Sequence, residues 1–202
     1  MSEVAGKDCI VKVSGAPTSF TSEATSTSDN QSYQISNAVK QVLDRDTPPT
    51  VYDDAIETIE DYTVNYLNGV ITFETVDALR GPITVTGKYL PMSVAAYAHT
   101  SSNSRACDLL DVTPFGVTHR KRIAGMLSAS GTLSQFDVTD TTYITALAAG
   151  DPVVLEQVTA SGEEPDRFWA LLESTELQAA LENPQDEVIS WISHDSWLRL
   201  GA

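Results

Sequence analysis

Polar and apolar residues alternate along most of this chain with a period of two, the spacing of a half-buried β-strand. The clearest run is "DYTVNYLNGVITFE", residues 61–74, where Asn68-Gly69 separates two arms rich in β-branched and aromatic residues. Asn-Gly is the dipeptide that a two-residue type I′ turn prefers. That turn sets Leu67 opposite Val70, Tyr66 opposite Ile71 and Val64 opposite Phe73. Tyr62, Val64, Tyr66, Ile71 and Phe73 then share a core face, while Thr63, Asn65, Thr72 and Glu74 look outward.

Further strands are expected at "CIVKV", at "PITVTGKYL" with Ile83, Val85 and Tyr89 inward, and at "RACDLLDVT", which is apolar on both sides. "RIAGMLSASGTLSQF", "PVVLEQV", "RFWALLES" and "VISWIS" complete the set, each bounded by Gly, Pro, Asn or Asp. One short helix is predicted at "DTTYITALAAGD", capped by Asp140 or Thr141, striped by Tyr143, Ile144 and Leu147, and stopped by Gly150. "STELQAALENP" is ambiguous and is assigned to a strand that runs into a turn at Asn183-Pro184. The fold class is mainly β, in a single domain spanning 1–202. Two stretches read as extended loops or arms: 14–32, rich in Ser and Thr, and 44–61, which joins Pro48-Pro49 to dense carboxylates.

Composition narrows the function. The 202 residues carry 28 Asp and Glu against 12 Lys and Arg, a formal net charge of −16. That balance repels polyanions and is opposite to the basic footprint of a duplex binder. The N-terminus has no apolar run of signal-peptide length, and no segment approaches the ~20 apolar residues that span a bilayer, so synthesis in a cytoplasm and no membrane partner are expected. Cys9 and Cys107 are too few for a disulfide scaffold and read as reduced, buried thiols.

Catalytic signatures are missing. His99, His119 and His194 stand apart without metal-ligand spacing, and Gly87-Lys88 lacks the rest of a phosphate-binding loop. The acidic residues between Asp44 and Asp61 match neither a calcium loop nor a glycosidase pair, and no nucleophile elbow is present. A non-enzyme with no cofactor and no metal is expected.

The order of segments resembles the tail-tube (major tail) proteins of long-tailed bacteriophages: "YTVNYLNGVITF", "GPITVTGKYLPM", "ACDLLDVTPFG", "HRKRIAGMLSASGTLSQFD", a short helix and a β-rich C-terminus. The most specific part is "DVTPFG" followed by "RIAGMLSASGTLSQF", which resembles the family's Asp-x-Thr-x-Phe turn and a small-residue strand ending near an aromatic. The resemblance implies a β-sandwich or barrel-like domain with a flanking helix, in a virion structural protein. It further implies rings of six stacked into a tube, with tape-measure, terminator and baseplate proteins as partners. Genomic DNA would pass through the lumen unbound, past subunits that each carry a formal charge of −16. Two alternatives stay open: a tail-terminator that forms one ring, or a baseplate or adhesin module that stacks host glycans on Trp169, Trp191 and Trp197.

Within this acidic chain "HRKR" stands out. As a strand, it would point His119 and Lys121 to one side and Arg120 and Arg122 to the other, which splits the charge between two faces. Arginine forks suit a neighbour's carboxylates. Arg120, Lys121 and Arg122 are therefore candidate subunit-interface residues, with Asp53, Asp54 and Glu57 of an adjacent copy as their partners.

Overall fold

The computed structural model describes residues 10–58, 60–77, 80–95, 98–115, 118–136, 142–158, 165–180 and 183–199, excluding the side chains of 142–144, 178–180, 183–185 and 196–199. Cys9 and the cap candidates Asp140 and Thr141 lie outside the described residues. The chain is mainly β, as the alternation predicts. Its strands are β1 Ile10–Ser14, β2 Thr18–Thr27, β3 Ser32–Ile35, β4 Thr50–Asp53, β5 Ile56–Glu57, β6 Tyr62–Asn65, β7 Val70–Phe73, β8 Ile83–Tyr89, β9 Met92–Val94, β10 Ala98–Asp111, β11 Arg122–Gln135, β12 Val153–Val158, β13 Asp166–Ala180 and β14 Asn183–Arg199. The helix α1 spans Thr142–Ala149, and Gly150 ends it with φ +71 and an amide that donates to the Ala146 carbonyl. The strand reading of "STELQAALENP" holds through Ala180, but Asn183 and Pro184, expected to form a turn, instead begin β14, and residues 181–182 lie outside the described residues.

The strands form two seven-stranded antiparallel sheets, and contacts divide the chain into two units. Unit 1 contains the sheet β5-β4-β8-β2-β3-β7-β6 together with β12-β1-β9, and unit 2 contains β10-β11-β14 and most of β13. The core of unit 1 is Phe20, Tyr33, Ile35, Leu43, Val51, Ile71, Phe73, Ile83 and Val85, with Tyr62, Val64, Tyr66 and Tyr89 packed against it. In unit 2 the buried side chains include Leu133, Trp169, Ile189 and Trp191. Trp191 lies across the ladder from Gly131, where an added Cβ would come within 2.6 Å of the Trp191 ring and 2.0 Å of the Ser102 carbonyl. No other residue fits there.

The 61–74 hairpin forms, with a different turn. Asn65 pairs with Val70 and Tyr62 with Phe73, so four residues, 66–69, make the connection. Only Gly69 has positive φ, and the Gly69 amide donates to the Asn65 carbonyl at 2.9 Å. The Asn65 and Asn68 side-chain oxygens accept from the Leu67 and Val70 amides. The partner of each residue shifts by two, which keeps every side chain on its predicted face.

The two expected arms are corrected. Residues 18–27 form β2, held by buried Phe20 and paired to β8 and β3, with a register shift between Phe20 and Glu23 where Ser22 takes φ +50. A Ser/Thr-rich stretch is a workable strand when a neighbouring ladder takes up its backbone groups. Within 44–61, β4 buries Val51 and pairs with β8, and β4 and β5 form a tight hairpin whose turn residues, Asp54 and Ala55, both have positive φ, +48 and +66. Cys107, expected to be buried, is exposed.

A buried ion pair ties unit 1 together. Glu156 on β12 is 1% exposed. Its two oxygens accept from Lys12 Nζ at 2.5 Å, across the β1–β12 ladder, and from Arg167 Nε at 2.6 Å on β13. Arg167 Nη1 also donates to the Leu67 carbonyl at 2.9 Å, in the β6–β7 turn. Burial would raise the Glu156 pKa, but the two cations and their hydrogen bonds outweigh it, and the carboxyl sits below its ordinary 4.5.

Two predictions concern this unit. Glu156→Gln leaves Arg167 without its counter-charge and is expected to lower unfolding stability by about 3 kcal/mol in denaturant titration. Because the folded pKa is depressed, the Glu156 contribution is complete above pH 4.5 and is lost as pH falls through the folded value, so the wild-type advantage over the variant should shrink on acidification. Ala55→Gly relieves a left-handed alanine and is expected to stabilise the β4–β5 turn by a few tenths to about 1 kcal/mol, read from the same titration. No gain from that change would contradict the strained turn.

Candidate interaction surface

The fourteen-residue strands β10 and β11 form a two-stranded ribbon. The described register of β11 with β14 runs only from Ser130 to Gln135, whereas its register with β10 continues to Arg122. Beyond Ala129 the ribbon is exposed: Arg105–Val112 are exposed throughout, and so are 118–128 apart from half-buried Gly125. A register shift opposite Asp108 marks a bulge at Gly125 and Met126, where an added Cβ on Gly125 would meet the Asp108 carbonyl at 3.2 Å.

The sequence makes this ribbon apolar on both faces, as "RACDLLDVT" indicated. Leu110 sits opposite Ile123, and Leu109 opposite Ala124 on the other face. Leu109, Leu110, Ile123, Met126 and Leu127 are 48–79% exposed. Among the described residues no third strand is registered on this part of the ribbon, and two-stranded pieces are marginal in water. Exposed apolar residues on both faces make the ribbon a candidate interaction surface.

The end of the ribbon carries the cations, and the split-strand reading of "HRKR" is corrected. His119, Arg120 and Lys121 lie in the connection, and only Arg122 belongs to β11. The "DVT" turn sets this arrangement. Asp111 Oδ1 accepts from the Thr113 amide at 3.0 Å and from its hydroxyl, while Thr113 Oγ1 accepts from the Lys121 amide at 2.9 Å. The Val112 amide closes the ring of bonds on the Lys121 carbonyl. Hydrogen bonds from the Thr113 hydroxyl and amide lower the Asp111 pKa, so this carboxylate stays ionised and keeps the turn closed. Among the described residues, the Arg120, Lys121 and Arg122 side chains have no ion-pair partner, and Phe115, earlier in the same connection, is fully exposed.

The carboxylates predicted to meet these cations do come together, in unit 1. Asp53, Asp54 and Glu57 line an open groove with Ile56, Thr58, Glu60 and Gly81. The tight β4–β5 turn puts them there. Asp53 Oδ1 accepts from the Gly81 amide at 2.8 Å, and an added Cβ on Gly81 would come within 2.8 Å of the Asp54 side chain. Glu60 is neutralised by Arg80, but Asp53, Asp54 and Glu57 have no cationic partner among the described residues. The field extends to Tyr62, whose pKa is raised by burial and then by the Glu57 charge. Ile56 is 73% exposed at this groove.

The other candidates disperse. Trp169 and Trp191 are buried, which removes them as sugar-stacking platforms, and the Trp197 side chain lies outside the described residues. His99 faces Asp186 and stacks on Phe136 with ring centroids 4.0 Å apart, while His119 is in the ribbon connection. Among the described residues, no three His, Cys, Asp or Glu side chains gather where they would hold a metal ion. The ion pair at Glu156 was missed in the sequence, although Lys12, Glu156 and Arg167 are each a charge set in an apolar strand run.

No family model matches the sequence, and no curated protein matches it. Solved structures match in fold. A chain from the tail of an empty gene transfer agent particle, computed with helical refinement and C6 symmetry, is 13% identical with a TM-score of 0.50 over 55% of this chain and 87% of that one. A chain from the virion of the native gene transfer agent particle is 13% identical with a TM-score of 0.49 over 55% of this chain and 89% of that one. Over 55% of its length the protein thus shares its fold with a chain from a gene transfer agent tail.

Proposed function

We propose that this chain is a structural subunit of a phage-type tail tube, assembling with itself into stacked rings around a bore. The observation that carries the reading is the fold likeness to a chain from a gene transfer agent tail of C6 symmetry, which extends over 87% of that chain. Six copies per ring are proposed by the same likeness. The exposed apolar ribbon supports it independently, since a surface of that kind needs a partner and a repeating assembly supplies one on every copy.

The charge gives the bore its property. At −16 per subunit, carboxylates facing the lumen repel the phosphate backbone, and a passing genome meets no adhesive wall. Tape-measure protein inside the tube, and terminator and baseplate proteins at its ends, complete the proposed set of partners, with the virion as the location. Burial of Trp169 and Trp191 weighs against a glycan-binding adhesin.

Negative-stain images of the purified, concentrated chain test the reading. The expected result is hollow filaments built of stacked rings, with no duplex DNA retained at ~150 mM salt. Rings that never stack favour a terminator, and a monodisperse monomer at every concentration contradicts both.

A further inference from the structure

The two charged clusters are equal in number, opposite in sign and alike in setting. Arg120, Lys121 and Arg122 form a cationic end with a fully exposed phenylalanine, Phe115, nearby in the same connection. Asp53, Asp54 and Glu57 line a groove that also exposes Ile56. Neither cluster is compensated among the chain's own described residues, while Lys12, Lys40, Arg80 and Arg167 each have a carboxylate. In a protein with 28 acidic and 12 basic residues, three consecutive cations with no carboxylate partner among the described residues, in the same connection as a fully exposed aromatic, form a surface complementary to an acidic partner that also exposes an apolar side chain.

We propose that the end of the β10–β11 ribbon docks into the Asp53–Glu57 groove of a second copy, with Arg120, Lys121 and Arg122 against Asp53, Asp54 and Glu57 and with Phe115 against Ile56. This rests on the reading that the chain assembles with itself. A second copy is the occupant because it brings both complements at once: a carboxylate for each cation and an apolar contact for the aromatic. Arginine forks on carboxylates supply orientation as well as attraction. The aromatic contact supplies the desolvated centre that rim charges alone do not.

The contact is heterologous, because the ribbon end of one copy meets the groove of another. Each copy keeps one free end and one free groove, so the contact repeats head to tail until it closes or propagates. Charge of this kind acts chiefly on encounter rate and choice of partner. It also makes assembly sensitive to salt, since exposed pairs are screened beyond about 8 Å at physiological ionic strength.

Charge exchange tests the pairing. The first variant, Arg120→Glu with Arg122→Glu, makes the ribbon end acidic. The second, Asp54→Asn with Glu57→Lys and Thr58→Lys, makes the groove basic, sparing the Asp53 bond to the Gly81 amide and keeping at 54 a residue that tolerates positive φ. Circular dichroism establishes that each is folded, and sedimentation velocity reads assembly. Each variant alone is expected to need more than about tenfold the wild-type concentration to assemble, because its end and groove now repel. An equimolar mixture is expected to assemble again, since each end finds an opposite groove.

If the first variant assembles as wild type does, or two folded variants stay dispersed when mixed, the docking is wrong while the tube reading stands. A wild-type chain that never assembles refutes both. Should the second variant not fold, Arg120→Gln with Arg122→Gln decides: loss of assembly supports the docking, and unchanged assembly overturns it.

Discussion

The fold of unit 1 depends on one buried carboxylate. Glu156 is nearly inaccessible and would be a liability if unpaired, yet it sits where three strands and a turn converge. Lys12 reaches it across the ladder, Arg167 reaches it from β13, and the same arginine extends to the Leu67 carbonyl. The last bond matters most for architecture. Through Arg167 it links the Glu156 pair on β12 to the β6–β7 turn of the other sheet. Such a pair contributes little net stability over an apolar replacement, but losing either partner is costly, so it specifies one arrangement.

Unit 2 presents the opposite economy. Its inner part is closed by Trp191 over Gly131 and by buried Trp169 and Ile189. Its ribbon then runs beyond that core with leucine, isoleucine and methionine uncovered. The Asp111–Thr113–Lys121 hydrogen bonds shape the end of the ribbon but bury nothing. The chain has therefore spent local hydrogen bonding on presenting a surface, and the energy that would cover that surface has to come from outside the monomer. The proposed assembly would use this division, with a buried core in one unit and an exposed element in the other for a neighbour to cover.

Much of the fold was legible because alternation sets the faces within each strand, and a register error of two residues leaves those faces in place. Predicting a two-residue turn at Asn68-Gly69 gave the wrong partners, yet Tyr62, Val64, Ile71 and Phe73 kept their face because the register moved by two. The Ser/Thr run from 18 to 27 misled, since one phenylalanine and the backbone ladder suffice to hold a strand that composition alone marks as mobile. The cations at 120–122 were found by composition, but their geometry was not, because the Thr113 hydroxyl that takes Lys121 out of the strand acts across eight residues. The turn at Asp54-Ala55 was hidden for a related reason: aspartate and alanine carry none of the glycine signal of a type I′ turn. The acidic cluster itself was visible, and the groove it lines exists only because Gly81 leaves room.

On the proposed assembly, the β10–β11 ribbon is an unfinished element that a second copy completes. Amide hydrogen exchange across Arg105–Leu110 and Ile123–Leu127, compared between dilute monomer and assembled protein, measures it directly. Fast exchange in the monomer and strong protection on assembly are expected, against little change at buried β7 and β8. A ribbon that is already protected in the monomer, or one that stays unprotected in the assembled protein, would contradict it.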